Sequence, residues 1–170
     1  MLPLTRRGRG AALALLLVLT GGCDGSADRP AEDEPVTVRK VVDGDTLDVV
    51  DSAGKRERIR ILGIDTPELA RGGRQADCYA AEGRSQAAEL LHRQPVSVSV
   101  DPSQPDRDSY GRRLAYVTAD RHDVGEQLIS GGFARRYHPR NRPAPVRDAS
   151  YRRAEQQARE AGRGLWGHCS

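Results

Sequence analysis

The sequence contains few aromatic residues, few lysines and no apolar run long enough to cross a membrane. Aromatic side chains make up 4% of the 170 residues, which predicts an aliphatic core and excludes a broad aromatic surface for stacking. Lys and Arg number 27 against 24 Asp and Glu, a formal net charge of +3, and only Lys40 and Lys55 are lysines. The first 22 residues hold three arginines and no acid, so the remaining chain has no net charge. A polybasic, histone-like nucleic-acid binder is therefore excluded.

The N-terminal 22 residues have the organisation of an export signal. Three arginines precede an apolar run at residues 11–19, and small residues follow it. This run is too short to span a bilayer, which takes about 20 apolar residues. Residues 19–23, Leu-Thr-Gly-Gly-Cys, resemble a bacterial lipobox, which implies that Cys23 is acylated and anchors the protein at the outer face of the cell membrane. The alternative is an ordinary signal peptide and a secreted protein.

The three cysteines are an odd number for an exported protein. Acylation of Cys23 would leave Cys78 and Cys169 to form a disulfide bond in an oxidising compartment. Two free thiols are the alternative. Because His168 and the other His residues are not spaced as metal ligands with these cysteines, no zinc site is expected.

The rest of the chain divides into an acidic tether and one domain. Residues 23–35 are polar and hold five acids against one arginine, which is typical of a flexible linker. Residues 36–170 suffice for a single domain. Within it, residues 36–104 hold 10 basic and 11 acidic side chains, whereas residues 105–170 hold 13 and 8. The later surplus of arginine could attract a polyanion, or could simply be a solvated surface.

Residue patterns predict a mainly β domain with helices inserted late. Runs rich in Val and Ile, bounded by Asp-Gly and Ala-Gly turns, predict five strands at residues 36–42, 46–50, 56–64, 96–100 and 113–118. Three helices are predicted. One covers residues 79–92, a short second one begins at a capping box formed by Asp123 and Glu126, and the third follows an apolar stripe and ends at Gly162. The resulting fold class is α+β, a small five-stranded β-barrel with added helices.

Charged residues are predicted to converge at one end of this barrel. If the second hairpin turns at residues 52–53, Asp45 faces the neighbourhood of Arg60, and Asp65 lies just beyond the third strand. Carboxylates gathered in this way repel one another unless a positive charge neutralises them. A hard divalent cation does so with oxygen ligands, and Arg60 adds a fixed positive charge. The predicted cluster consists of Asp43, Asp45, Arg60, Asp65 and Glu68.

Three sequence blocks strongly resemble the staphylococcal nuclease (thermonuclease) family. They are Val-Val-Asp-Gly-Asp-Thr at residues 41–46, Ile-Arg-Ile-Leu-Gly-Ile-Asp-Thr-Pro-Glu at residues 59–68, and Asp-Ser-Tyr-Gly-Arg-Arg-Leu-Ala-Tyr-Val at residues 108–117. The resemblance implies an OB-fold and a calcium-dependent endonuclease that hydrolyses DNA and RNA. It extends over essentially everything after the tether.

The resemblance also implies a role for each matching residue. In the calcium site, Asp45, Asp65 and the carbonyl of Thr66 are direct ligands, and Asp43 acts indirectly through water. The catalytic residues implied are Arg60 and Arg112, which bind the phosphate, and Glu68, the general base. Tyr110 is expected to contact the substrate nucleotide, with Tyr137 as a second candidate.

Ser109 is a departure from the family, which often carries Lys at this position. Together with the low aromatic content, it motivates a second reading: a catalytically weak OB-fold nucleic-acid-binding lipoprotein. A third reading is a calcium-stabilised interaction module of the cell envelope. Because a binding protein has no need of Asp45, Arg60, Glu68 and Arg112 together, the nuclease is the leading expectation, acting as a monomer.

Overall fold

The computed structural model describes residues 33–169. The predicted signal peptide, Cys23 and most of the tether lie outside these residues. The described chain contains eight strands and four helices: β1 (Glu34–Asp43), β2 (Thr46–Asp51), β3 (Arg56–Ile61), β4 (Ile64–Asp65), α1 (Ala80–Leu91), β5 (Val96–Ser99), β6 (Arg113–Ala119), β7 (His122–Asp123), α2 (Val124–Ser130), β8 (Arg135–Arg136), α3 (Asp148–Glu160) and α4 (Leu165–His168). Among them is no helix with the length and apolar character needed to cross a membrane.

Five strands close into a barrel. β1, β2 and β3 form an antiparallel meander, as the Asp-Gly and Ala-Gly turns predict, and β5 pairs with both β1 and β6. Parallel pairing of β3 with β6 completes the ring, with Arg60 opposite Leu114. The predicted OB-like, mainly β α+β fold is therefore confirmed.

The core of the barrel is aliphatic, as the low aromatic content predicts. Alternate residues of β2 and β3 point inward, and Leu47, Ile59 and Ile61 are completely buried. Two tyrosines are the exceptions: Tyr116 on β6 and Tyr151 on α3 meet edge to face at 6.4 Å and join the helical layer to the sheet.

The third strand is shorter than predicted. It ends at Ile61 rather than at residue 64, because Gly63 adopts a φ of +82° that side-chain-bearing residues avoid. A Cβ atom at Gly63 would also lie 3.0 Å from the ring of Tyr151. The chain therefore turns here, and the residues that follow form β4, which pairs with β8 instead of the barrel. This break carries Asp65 out of the sheet and towards the end of the barrel.

Both ends of the domain are fastened to its body. β1 begins at Glu34, two residues before the predicted start of the domain, because Glu34 pairs with Val98 and its carboxylate lies 2.7 Å from Arg113. Near the other end, Cys78 and Cys169 form a disulfide bond whose Cα atoms are 5.9 Å apart. It joins the segment before α1 to the residue that follows α4.

Candidate active site

Asp45 is the buried centre of the acidic end of the barrel. It lies in the turn between β1 and β2, with 4% of its surface exposed. Its Oδ2 accepts hydrogen bonds of 3.0 Å from both the backbone N–H and the Oγ1 hydroxyl of Thr66, while Oδ1 accepts one from Thr46. Thr66 packs so closely on this turn that a Cβ atom at Gly44 would lie 2.8 Å from its methyl group. Glycine at position 44 therefore allows the turn and the Thr66 segment to meet.

Arg60 joins this turn to the segment after β3. Its Nη2 lies 2.9 Å from Asp65 Oδ1 and 3.3 Å from Asp45 Oδ2. Its Nη1 donates to the carbonyl oxygens of Ile61 and Ile64, at 2.9 and 2.7 Å. The two carbonyl bonds fix the plane of the guanidinium, so Arg60 presents an oriented fork rather than a mobile charge.

Asp43 contributes a carboxylate that the protein satisfies only in part. Its Oδ2 lies 3.2 Å from Arg71 Nη2, but its Oδ1 is buried and accepts no hydrogen bond from any described residue. A buried acceptor without a partner is costly and rare in folded proteins. This oxygen is therefore an available ligand for a cation or an ordered water molecule.

Asp65 and Glu68 lie in the field of the same carboxylates. Burial raises the pKa of Asp65 above its ordinary value, Arg60 lowers it, and Asp45 raises it further. Burial also raises the pKa of Glu68, with added repulsion from Asp45, Asp43 and Asp65. Both carboxyl groups therefore take up a proton more readily than ordinary acidic side chains.

Arg112 approaches the cluster from the opposite side. Its Nε donates to Asp108 Oδ2 at 2.6 Å, and its Nη1 lies 3.3 Å from Thr46 Oγ1, beside Asp45. Asp108 also accepts the backbone N–H groups of Tyr110 and Arg112, which fixes the loop before β6. Although burial raises the pKa of Asp108, these bonds from Arg112 and Tyr110 outweigh it and hold the pKa below its ordinary value. Asp108 therefore remains ionised and positions Arg112.

Part of this group lines one open cavity of about 500 Å³, which we call the acidic cavity after the carboxylate cluster that it borders. The wall itself carries four arginines and three acids: Arg60, Arg107, Arg112 and Arg142, and Asp65, Glu68 and Asp108. Its wall includes the implied catalytic residues Arg60, Glu68 and Arg112, together with Asp65 and both candidate tyrosines, Tyr110 and Tyr137. Tyr137 is half exposed, and its backbone N–H donates to the carbonyl of Gly63 at 2.9 Å. Asp43 and Asp45 lie behind this wall, linked to it through Arg60 and through the field that they exert on Glu68. Every residue expected in the site is thus brought to one end of the barrel.

The donor chemistry at this end fits a hard divalent cation. All candidate ligands are oxygens, and Oδ1 of Asp43 has no partner among the described residues. Burial, with added repulsion from the neighbouring carboxylates, raises the pKa of Glu68. Within residues 33–169, no three acidic, His or Cys side chains converge closely enough to hold a metal by themselves. A cation would need further oxygens, such as the Thr66 carbonyl, water and substrate. Calcium, with its six to eight oxygen ligands and flexible geometry, tolerates such a site.

Sequence reasoning missed several residues that support the site. Asp77 exchanges hydrogen bonds with the backbone of Glu68 and so closes the loop that carries it. Asp108 belongs to the third sequence block, but the block does not by itself indicate that Asp108 positions Arg112. His138 and Arg142 line the cavity beyond Tyr137. Of these, only Asp108 carries a usable local signal, because Asp followed two residues later by a turn tyrosine and glycine favours an Asx turn.

Comparisons with known proteins identify a family model and several relatives that this chain resembles. A family model described as "Staphylococcal nuclease homologue" matches residues 58–168. The chain is 31% identical over 137 residues to a thermonuclease of Staphylococcus hyicus, an alignment that covers 80% of this chain and 78% of the relative. It is 33% identical to a thermonuclease of Staphylococcus intermedius over 64% of this chain and 63% of that protein. It is also 35% identical to endonuclease YncB of Bacillus subtilis, of which the alignment covers 46%.

Proposed function

Since the chain belongs to the family of staphylococcal nuclease homologues and is a nuclease, we propose that it is a calcium-dependent endonuclease that hydrolyses phosphodiester bonds of DNA and RNA. The observation that carries the proposal is the position of two arginines on either side of one carboxylate cluster. Arg60 lies 3.3 Å from Asp45, and Arg112 lies 3.3 Å from Thr46, the next residue along the chain. A phosphodiester between these guanidinium groups would lie directly beside the proposed calcium ligands.

The two arginines bind and orient the phosphate. The planar guanidinium of Arg112 has an Nη2 that contacts no carboxylate or carbonyl of the described residues and can donate charge-assisted hydrogen bonds to phosphoryl oxygens. Arg60 would do so with its Nη2, which here lies against Asp45 and Asp65 and would have to exchange these partners for the phosphate. Two backbone carbonyls hold Nη1 of Arg60 and Asp108 holds Nε of Arg112, so both guanidinium planes are oriented before charge grows in the transition state. Preorganised donors of this kind are commonly worth about 3 kcal/mol each in transition-state stabilisation.

Glu68 acts as the general base. Its side chain is 48% exposed at the cavity wall, where a water molecule can reach it, and Asp77 holds its backbone in place. Because burial and the neighbouring carboxylates raise the pKa of Glu68, its carboxylate accepts a proton more readily than an ordinary glutamate. Asp45, Asp65, the Thr66 carbonyl and, through water, Asp43 would hold calcium, which supplies polarisation of the phosphate and a template for the attacking water.

Digestion of single-stranded DNA and of RNA by the purified protein, with calcium or with EGTA, tests this function. We expect internal cleavage of both the DNA and the RNA in calcium, and no cleavage of either in EGTA. Glu68→Gln preserves size and removes the base, so it should lower kcat by roughly 10²-fold or more. Glu82→Gln, an exposed glutamate on α1, is the matched control. Equal rates in calcium and EGTA would contradict calcium dependence, and a fully active Glu68→Gln variant would remove the role given to Glu68.

A catalytically weak nucleic-acid-binding protein is the second candidate. Ser109 favours it, because this position lines the acidic cavity and supplies no positive charge there. The digestion experiment separates the two. A protein that binds oligonucleotides tightly but cuts them no faster in calcium than in EGTA would be the binding protein.

We further propose that the protein is exported, acylated at Cys23 and anchored at the outer face of the bacterial cell membrane as a monomer. The lipobox-like residues 19–23 support acylation, the extracellular disulfide chemistry of Cys78 and Cys169 supports export, and a site built from one chain supports the monomer. In cell fractionation, Cys23→Ser should move the protein from the membrane to the soluble fraction. Unchanged membrane association would contradict the anchor and leave the nuclease proposal intact. Light scattering tests the monomer.

A further inference from the structure

A second cavity lies beside the acidic cavity, on the outer face of β1, β2 and β3. It has a volume of about 660 Å³, and we call it the basic groove. Its wall carries five cationic and only two acidic side chains, at Arg39, Lys40, Arg56, Arg58 and Arg112 and at Asp48 and Glu57. Strong positive charge in an open groove suits an extended polyanion.

A bulge in β1 aims two consecutive cations into the groove. Val38 pairs with Val49 and Lys40 pairs with Asp48, so Arg39 has no partner on β2. In a regular strand Arg39 and Lys40 would point to opposite faces of the sheet, whereas here both are exposed on the outer one. Bulges re-aim side chains in this way, and this one doubles the positive charge at the edge of the groove.

A row of arginines on β3 runs from the groove into the acidic cavity. Arg56, Arg58 and Arg60 occupy alternate positions and therefore share one face of the strand. By strand geometry their Cα atoms are about 7 Å apart, a separation that one extended nucleotide spans. Arg56 and Arg58 line the basic groove, and Arg60 lines the acidic cavity. The row thus leads from the groove to the catalytic arginine, with Arg56 open to a ligand and Arg58 between them paired with Asp48.

Much of the groove's positive charge is not neutralised by neighbouring acids. The two carboxylate oxygens of Asp48 accept hydrogen bonds from Arg58, at 2.6 and 3.0 Å. Glu57 lies within ion-pair distance of three cations outside the groove, Lys55, Arg107 and Arg113. Within residues 33–169, Arg39, Lys40 and Arg56 form no ion pair and are exposed. These three cations are therefore available to a ligand.

Tyr110 and Arg112 form the boundary between the two cavities, since both residues line each of them. Tyr110 is 84% exposed, and the Arg112 guanidinium carbon lies 5.3 Å from the centre of its ring. An exposed aromatic ring at this position offers a stacking surface for a base, while its neighbour binds a phosphate. A strand can pass over Tyr110 from one cavity into the other without leaving the protein surface.

From this continuity we propose that the basic groove binds the backbone phosphates of a single-stranded nucleic acid on one side of the bond that the acidic cavity cuts. The cutting rests on the proposed function, whereas binding in the groove does not. Arg39, Lys40 and Arg56 each contact one phosphate, so the protein holds a strand several nucleotides long. Affinity therefore rises with strand length and falls with salt.

Neutralising the three unpaired cations tests the groove without touching the catalytic residues. The variant Arg39→Gln/Lys40→Gln/Arg56→Gln leaves the Arg58–Asp48 pair in place. Its control, Arg93→Gln/Arg121→Gln/Arg153→Gln, removes equal charge from exposed positions that line neither cavity.

Fluorescence anisotropy with a dodecanucleotide and a dinucleotide, in EGTA so that nothing is cut, measures the affinity. For the groove variant we expect ~10-fold weaker binding of the dodecanucleotide and a log-affinity-versus-log-salt slope smaller by about 2. Binding of the dinucleotide and behaviour of the control should not change.

Two results would overturn the proposal. One is a groove variant that binds the dodecanucleotide as wild type does, and the other is an equal loss in the control, which would show a general charge effect. Cleavage in calcium is the second readout, where the KM for long strands should rise ~10-fold at unchanged kcat. If wild type cuts nothing in calcium but the groove variant loses length-dependent binding, the nuclease proposal fails and the groove proposal stands.

Discussion

Two groups of carboxylates in this molecule differ in how completely they are satisfied. Where α3 meets β8, Asp148 accepts from Arg136 at 2.6 Å and from Arg152 at 2.9 Å, one arginine for each oxygen. Burial acts to raise the pKa of Asp148, but these two bonds hold it below its ordinary value. At the end of the barrel that holds the candidate site the opposite holds: the pKa values of Asp65 and Glu68 are raised, and one oxygen of Asp43 has no partner among the described residues.

The difference shows that the balance of donors, rather than the residue type, separates structural from catalytic acids. Asp101 repeats the structural pattern, because the bonds from Ser103, Val146 and Tyr116 outweigh its burial and lower its pKa. A carboxylate with all its lone pairs used stabilises the fold and has to exchange a donor before it can bind anything else. Asp45 is such a case inside the site, because its oxygens already accept from Thr46 and Thr66. One with spare lone pairs costs stability and remains free to bind a cation or a proton.

The largest expected effect is on catalysis, from Arg112→Ala. Loss of a preorganised phosphate donor should lower kcat by ~10²–10³-fold. Because Arg112 also pairs with Asp108, we expect a small fall in thermal stability, visible by circular dichroism, without loss of the fold. Arg112→Lys keeps the charge but not the fork and should fall between wild type and Arg112→Ala. If Arg112→Ala kept the wild-type kcat, Arg112 would be a structural arginine and would not stabilise the transition state.

Asp148→Ala should give the reverse pattern, a loss of stability at unchanged chemistry. Its side chain is 7% exposed and satisfies two arginines, so its removal should cost about 2 kcal/mol in the free energy of unfolding. The kcat of the folded fraction should not change. Urea unfolding and a kinetic assay on the same sample measure both, with the exposed Glu160→Ala on α3 as the control. A selective fall in kcat would place Asp148 in the catalytic group.

A smaller effect is expected from Glu57, a saturated carboxylate beside the basic groove. Hydrogen bonding to Lys55, opposed by burial and aided by Arg107, lowers its pKa from 4.5 to about 2. The folded protein therefore binds fewer protons than the unfolded chain between these values, so the stability that Glu57 contributes is present above pH 4.5 and is lost as the pH falls through about 2. Glu57→Gln should cost ~1 kcal/mol at neutral pH and lose less stability than wild type on acidification. Identical acid sensitivity in denaturant titrations at pH 7 and pH 3 would contradict the assignment.

Much of the fold was predictable because its signals are local. Alternating Val and Ile, Asp-Gly turns and the Asp123 capping box mark their elements within a few residues, and Asp123 does accept the backbone N–H of Glu126 at 3.0 Å. The predicted third strand was too long because Ile64 continues the apolar pattern. The turn at Gly63 packs against Tyr151, a close approach between segments far apart in the chain that the local pattern does not contain.

The candidate site was less accessible to sequence reasoning. Asp43, Asp45, Arg60 and Asp65 are close in the hairpin register, so their gathering follows from two adjacent turns. Arg112 and Thr46 are in contact although 66 residues separate them in the sequence. Their contact depends on the parallel pairing of β3 with β6. No local pattern contains that pairing.

The sequence by itself determined the strand order of the meander, the aliphatic core and the identity of the acidic and basic residues at the site. Tertiary structure alone decided which charges neutralise one another. The bulge at Arg39 turns two cations to one face, Asp48 and Glu57 are paired with other residues, and one oxygen of Asp43 has no partner within residues 33–169. The physical reason is that hydrogen bonding and burial depend on distances of a few ångströms between segments remote in sequence, whereas strand and turn preferences depend on neighbours along the chain.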